Sequence, residues 1–119
     1  MRIWHTALLA ALAIGATAAT TIQAAPQKYT WDGFGNGDGN CPVYRMHIEV
    51  TVDNGRAVGT FQQKGRPQRN FDLPVTDGKF TGDAKVDGGT MRVTGDVGGP
   101  NPELKLNGYC KFGGALKSA

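Results

Sequence analysis

A chain of 119 residues, 39% hydrophobic and 19% charged, with a formal net charge of +3, holds one small domain. Its 13 basic and 10 acidic residues alternate in sign along the sequence, which excludes the concentrated basic face of a nucleic-acid binder. Helical spacing of apolar residues is nowhere sustained beyond the first two dozen positions, and period-two alternation dominates from Tyr44 onward.

The chain opens on Met1-Arg2-Ile3-Trp4-His5-Thr6 and an alanine- and leucine-rich run from Ala7 to Ala19. A short positive start, a brief apolar stretch and small residues after it are the layout of a secretory signal peptide, and the run is shorter than the roughly 20 apolar residues of a membrane span. Cleavage is expected after Ala24, following Ile22-Gln23, because a cut after Ala25 would set Pro26 beside the scissile bond. Ala16-Thr17-Ala18 is the competing site, an uncleaved anchor is the plain alternative, and no cysteine at the cut indicates a lipoprotein. Residues 1–24 are therefore read as a cleaved leader and residues 25–119 as a single domain of formal charge +2, since Arg2 departs with the leader. The expected location is periplasmic or secreted.

A first strand is expected through Tyr29 and Trp31, followed by the glycine-rich stretch Asp32 to Asn40. Cys41 comes next, and its only possible partner is Cys110. In an exported chain two cysteines read as a disulfide, and a small domain gains most from a cross-link that closes a long loop. A redox-active pair would instead want Cys-x-x-Cys spacing.

Tyr44, Met46, Ile48, Val50 and Val52 then share one face of a strand, with Arg45, His47, Glu49 and Thr51 on the other. Asp53-Asn54-Gly55 reverses the chain into a strand around Arg56–Gln62, where Ala57 and Phe61 compete with Val58 for the inward face. After the polar loop Lys64–Gln68, Phe71, Leu73 and Val75 point inward, while Pro74 marks an edge or strand end. Asp77-Gly78 forms a two-residue hairpin turn, and Phe80, Gly82, Ala84 and Val86 continue the inward set. Asp87-Gly88-Gly89 turns into Met91, Val93, Gly95 and Val97; after the loop 98–102 come Leu104 and Leu106, the Asn107-Gly108 turn, then Cys110 and Phe112. Residues 115–119 read as a frayed tail.

The expected fold is all-β: an antiparallel up-and-down meander of about eight short strands, forming a small closed or nearly closed barrel with one disulfide. Closure is attractive because it removes unpaired strand edges. An open meander rolled into a half-barrel is the alternative.

Catalytic groups are scarce. Beyond the leader the chain has one histidine, His47, and one serine, Ser118, so Ser-His and Cys-His nucleophilic chemistry is not supplied. One histidine and two bridged cysteines also fall short of a zinc ligand set, and no metal or other cofactor is expected. Glu49, Asp72, Asp83 and Asp96 are the carboxylates available for glycoside chemistry, but alternation turns all four outward. Asn36, Asp38 and Asn40 have the alternate spacing of a calcium loop, yet Cys41 stands where the glycine belongs and no bidentate acid follows. Lys64, Arg66 and Arg69 form a local excess of positive charge at one hairpin, the binding surface expected for an anionic or acidic partner. Tyr29, Trp31 and Phe34 make an aromatic strip suited to plugging one end of a small barrel or lining a ligand mouth.

The run Tyr29-x-Trp31-Asp32-Gly33 before a cysteine, Asp53-Asn54-Gly55-Arg56, Gly59-Thr60-Phe61, the hairpin Asp77-Gly78-Lys79-Phe80-Thr81-Gly82 and the late Cys110 resemble a class of small exported proteobacterial β-meander proteins. The likeness spans nearly the whole domain and implies fold and location, but it brings no assigned activity and no functional residue. Size and layout are more distantly similar to avidin- and lipocalin-type barrels and to periplasmic metalloprotease inhibitors, though the lipocalin Gly-x-Trp is absent here in that order. The expected function is a non-enzymatic exported binding module, a monomer whose loops, Lys64, Arg66 and Arg69 first among them, engage a protein or glycan partner. No nucleic acid and no membrane span of the domain are expected. Carriage of a small apolar ligand inside a calycin-like barrel and inhibition of a secreted hydrolase are the alternatives.

Overall fold

The computed structural model describes residues 25–119; the expected leader and its cleavage site lie outside the described residues. The strands are β1 (Gln27–Phe34), β2 (Arg45–Asp53), β3 (Arg56–Gln63), β4 (Arg69–Pro74), β5 (Lys79–Val86), β6 (Gly89–Asp96), β7 (Glu103–Asn107), β8 (Lys111–Ala115) and β9 (Lys117–Ser118), with one 3₁₀ turn at Cys41–Val43. All pairings are antiparallel.

Local chemistry explains most of these elements. In β2, Met46, Ile48 and Val50 are buried while Arg45 and Glu49 are exposed, the alternation that a half-buried strand requires. The β2–β3 and β5-leading turns both need positive φ at two central residues, and Asn54 (50°), Gly55 (72°), Asp77 (54°) and Gly78 (76°) supply it. In β3 the inward set is Ala57, Gly59 and Phe61, and Val58 faces solvent. Pro74 ends β4, which is itself a sheet edge, where its missing N–H costs no ladder bond.

The hydrogen bonding divides into two sheets, ordered β4-β3-β2-β1-β9 and β5-β6-β7-β8, and does not run round as one closed barrel. The chain passes from one sheet to the other between Pro74 and Lys79, and returns across Leu116. On the return side, Tyr29 pairs with Ser118 and Thr30 with Lys117, while Asn36 bridges Lys111. Between those two points the half-buried Trp31 ring lies over Gly33 and beside Gly114.

At the other junction side chains do the joining. Phe71 of β4 stacks on Phe80 of β5 with ring centroids 6.3 Å apart, and Phe61 stands 6.5 Å from Phe71. Each ring needs space, and glycine provides it: Phe71 covers its cross-strand partner Gly59, Phe80 covers its partner Gly95, and Leu73 covers Gly82. Inward glycines therefore leave no hollow at these positions, because a neighbour's large side chain fills each one.

Residues 115–119, expected to fray, are ordered into the sheet. Leu116 is buried, Lys117–Ser118 form β9, and the Ala119 N–H donates to the Lys28 carbonyl at 2.9 Å. An unpaired edge of β1 is the physical reason: its N–H and C=O groups are satisfied by whichever strand lies beside it.

Cys41 and Cys110 form the disulfide, with Cα atoms 5.4 Å apart and a sequence separation of 69. Cys41 is fully buried on the 3₁₀ turn and Cys110 lies just before β8. Replacing both cysteines with serine is expected to lower stability by about 4 kcal/mol, the chain-entropy value for a loop of this length, read from chemical denaturation. Gly95→Ala puts a methyl group where the Phe80 ring lies and is expected to cost about 1–3 kcal/mol, seen as a lower urea midpoint. Gly99→Ala, which meets no neighbouring atom within 4 Å, is expected to leave the midpoint unchanged.

Candidate functional site

The starts of β2, β6 and β8 and the ends of β3 and β5 converge at one end of the molecule with the β3–β4, β5–β6 and β7–β8 loops. Between them opens a mouth of about 340 Å³. Its floor is built from side chains that alternation sends inward: Met46 of β2, Phe61 of β3, Met91 of β6 and Phe112 of β8, all buried. Met91 sits over Gly108, so the β7–β8 turn approaches the floor closely. The disulfide half Cys110 forms part of the same wall.

The rim is polar. Arg66 reaches it from the β3–β4 loop, Arg69 from the first position of β4 and Asp87 from the β5–β6 turn. Arg69 forms an ion pair with Asp87 at 2.6 Å, linking the two sheets across the opening. Arg66 makes no ion pair among the described residues. Tyr109, 84% exposed, overhangs the opening from the β7–β8 loop.

The three basic residues singled out in the sequence thus go to two places. Arg66 and Arg69 share the mouth, and only one of them is without a carboxylate partner. Lys64 lies on the outer face of the sheet, where it borders a shallow groove of about 340 Å³ with Asp32, Arg45, His47 and Gln62.

In that groove His47 bridges two carboxylates. Its Nδ1–H donates to Asp32, the residue directly opposite on β1, at 2.8 Å, and its Nε2–H donates to Glu49, two residues along β2, at 2.8 Å. Both bonds are donated together only by the imidazolium, so hydrogen bonding to Glu49, then to Asp32, holds the His47 pKa above its ordinary value of 6.5 against a small burial penalty. The guanidinium of Arg45 lies 5.8 Å from the ring centre of Phe34, which is exposed at the end of β1.

The other carboxylates weighed for glycoside chemistry are also engaged. Asp72 accepts from Arg56 at 2.8 Å, Asp83 from its cross-strand partner Arg92 at 3.2 Å, and Asp96 from the Gly98 N–H at 3.1 Å. Among the described residues no three His, Cys, Asp or Glu side chains gather as metal ligands. Ser118 lies in β9, paired with Tyr29. Of the aromatic strip, Tyr29 is buried, Trp31 fills the β1–β8 gap, and Phe34 is exposed; none of the three lines the mouth.

Sequence reasoning reached the two arginines but missed the Met46, Met91 and Asp87 side of the mouth and the His47 bridge. Alternation marks both methionines as inward, so they were visible as core; that they end at a gap was not. The described residues thus form an all-β, disulfide-linked domain with an apolar-floored opening at one end, in which no helix is long and apolar enough to cross a membrane. Compared with known protein families, curated proteins and solved structures, the chain has no match.

The His47 bridge has a pH signature. A raised folded-state pKa means that its contribution to stability is complete below the unfolded value of 6.5 and is lost as pH rises through the higher folded value. Solvent screens the half-exposed site, so the effect is small. NMR titration of His47 is expected to give a pKa above 6.5, and Glu49→Gln with Asp32→Asn is expected to bring it down toward that value.

Proposed function

We propose that this chain is an exported, non-enzymatic binding module that takes a small, largely apolar ligand into the mouth at the disulfide end of a rolled β-meander. The observation that carries this reading is the floor of Met46, Phe61, Met91 and Phe112 beneath an opening of about 340 Å³, a volume within the range of small-molecule sites. Methionine adapts its shape and has a polarizable sulfur, so two of them suit an apolar guest whose outline is not tightly specified.

Several features support the wider reading. A disulfide at the neck of the mouth suits an oxidising compartment and keeps the β7–β8 loop against the 3₁₀ turn. The rolled meander approaches closure at both junctions, through the Phe71–Phe80 stack on one side and the β1–β9 and Asn36–Lys111 pairings on the other. Reactive groups are few, and Glu49, Asp72, Asp83 and Asp96, the carboxylates weighed for glycoside chemistry, are engaged by histidine, arginine or backbone partners.

A second reading, that the same end engages a partner protein as a monomer, is favoured by Val43 and Tyr109, which flank the disulfide at 70% and 84% exposure. Apolar side chains held this far into water at one end of a domain are characteristic of contact surfaces. Lys64, Arg66 and Arg69 would then stand at the border of the contact.

Residues 25–119 contain two methionines, both on the floor, so methyl-labelled methionine reports on the site without further engineering. Titration with 1-octanol is expected to shift the Met46 and Met91 methyl signals together and saturably, with a dissociation constant at or below roughly 1 mM. Unmoved methionine signals across the solubility range of octanol would exclude the apolar-ligand reading.

A further inference from the structure

The mouth carries a charge pattern as well as an apolar floor, and the two together narrow the ligand. Three charged side chains border it: Arg66, Arg69 and Asp87. Asp87 neutralises Arg69 at 2.6 Å, which leaves the opening with a single excess positive charge on Arg66. A guest seated on Met46, Phe61, Met91 and Phe112 places its apolar body inside and its end group at the level of this rim. Arginine presents a planar fork of donors that matches a carboxylate in two parallel hydrogen bonds, whereas an alcohol or an amine cannot use that geometry.

We propose that the ligand is a monoanionic amphiphile, a small carboxylic acid with an aliphatic or aromatic body, whose carboxylate is held by Arg66 at the rim. This builds on the binding reading above and adds the head group to it. The Arg69–Asp87 pair has a separate part: it holds the β3–β4 loop, and with it Arg66, against the β5–β6 turn. It also tunes the rim, because removing the Asp87 charge would give the opening two cations in place of one.

Matched ligands separate the two levels of the proposal. At pH 8 and low salt, octanoate, octanol and octylammonium are titrated against the wild-type protein and followed through the Met46 and Met91 methyl signals. Octanoate is expected to bind about tenfold more tightly than octanol, octylammonium more weakly than octanol, and the octanoate preference is expected to shrink with added salt. Arg66→Ala is expected to reduce octanoate to the level of octanol while octanol binding is unchanged, which also shows that the variant is folded; Arg66→Lys is expected to restore only part of the preference. Asp87→Asn is expected to strengthen octanoate severalfold.

Equal binding of octanoate and octanol, or an octanoate preference that survives Arg66→Ala, would overturn the carboxylate assignment and leave the apolar mouth standing. Failure of all three ligands to move the methionine signals would overturn both. Co-sedimentation with phosphatidylglycerol vesicles through Arg66, without binding of free octanoate, would assign the charge to a lipid surface and overturn the soluble-acid ligand.

Discussion

Two sheets are joined here at a junction where the backbone ladder lapses, and the Phe71–Phe80 stack at 6.3 Å spans it. That contact is possible only because glycine stands opposite each ring, at Gly59 and Gly95. A strand residue with a β-carbon would hold the ring away from the sheet, and the aromatic row from Phe61 through Phe80 could not form. Aromatic rings laid over strand glycines also restore the packing that glycine by itself forfeits. The middle of the domain is thereby filled by side chains borrowed from neighbouring strands, and space is left at the end, where the strands splay into loops.

The disulfide acts at that same end. It links the turn before β2 to the turn before β8, two segments whose backbones are otherwise held by few ladder bonds. Arg69 and Asp87 make the complementary link on the other side of the opening. One link is covalent and the other ionic, and between them the loops around the mouth are tied across the gap between sheets. A loop rim built this way holds its polar groups in place, which would lower the ordering cost of binding the proposed ligand.

The outer face is organised by a different rule. Cross-strand and diagonal pairs of opposite charge recur along it: Asp32 with His47, Asp72 with Arg56, Asp83 with Arg92. Such exposed pairs contribute little to stability, but they fit the alternating signs of the sequence. Lys64 belongs to this face, and Arg66, two residues away, belongs to the mouth. Both lie past the end of β3, in a turn where Gly65 takes a φ of 84° and reverses the chain, so the two side chains leave on opposite sides.

What the sequence alone determined was local in origin. The inward set Met46, Ile48 and Val50 follows from period two, the Asn54-Gly55 and Asp77-Gly78 reversals follow from residues that tolerate positive φ, and the Cys41–Cys110 pairing follows from there being no other partner. Where the connection is long, as between Phe34 and Arg45, no turn chemistry sets the register, so the opposition of Asp32 and His47 could not be read. The same holds for Leu116 to Ala119, a stretch too short to show alternation, which gave no sign of a strand until the edge of β1 lay beside it. Whether inward glycines meant a hollow or a filled interior, and where the gap finally opened, was decided only by the tertiary structure. Those outcomes depend on the volumes of side chains from strands that are not neighbours in the chain, and no local pattern encodes that sum.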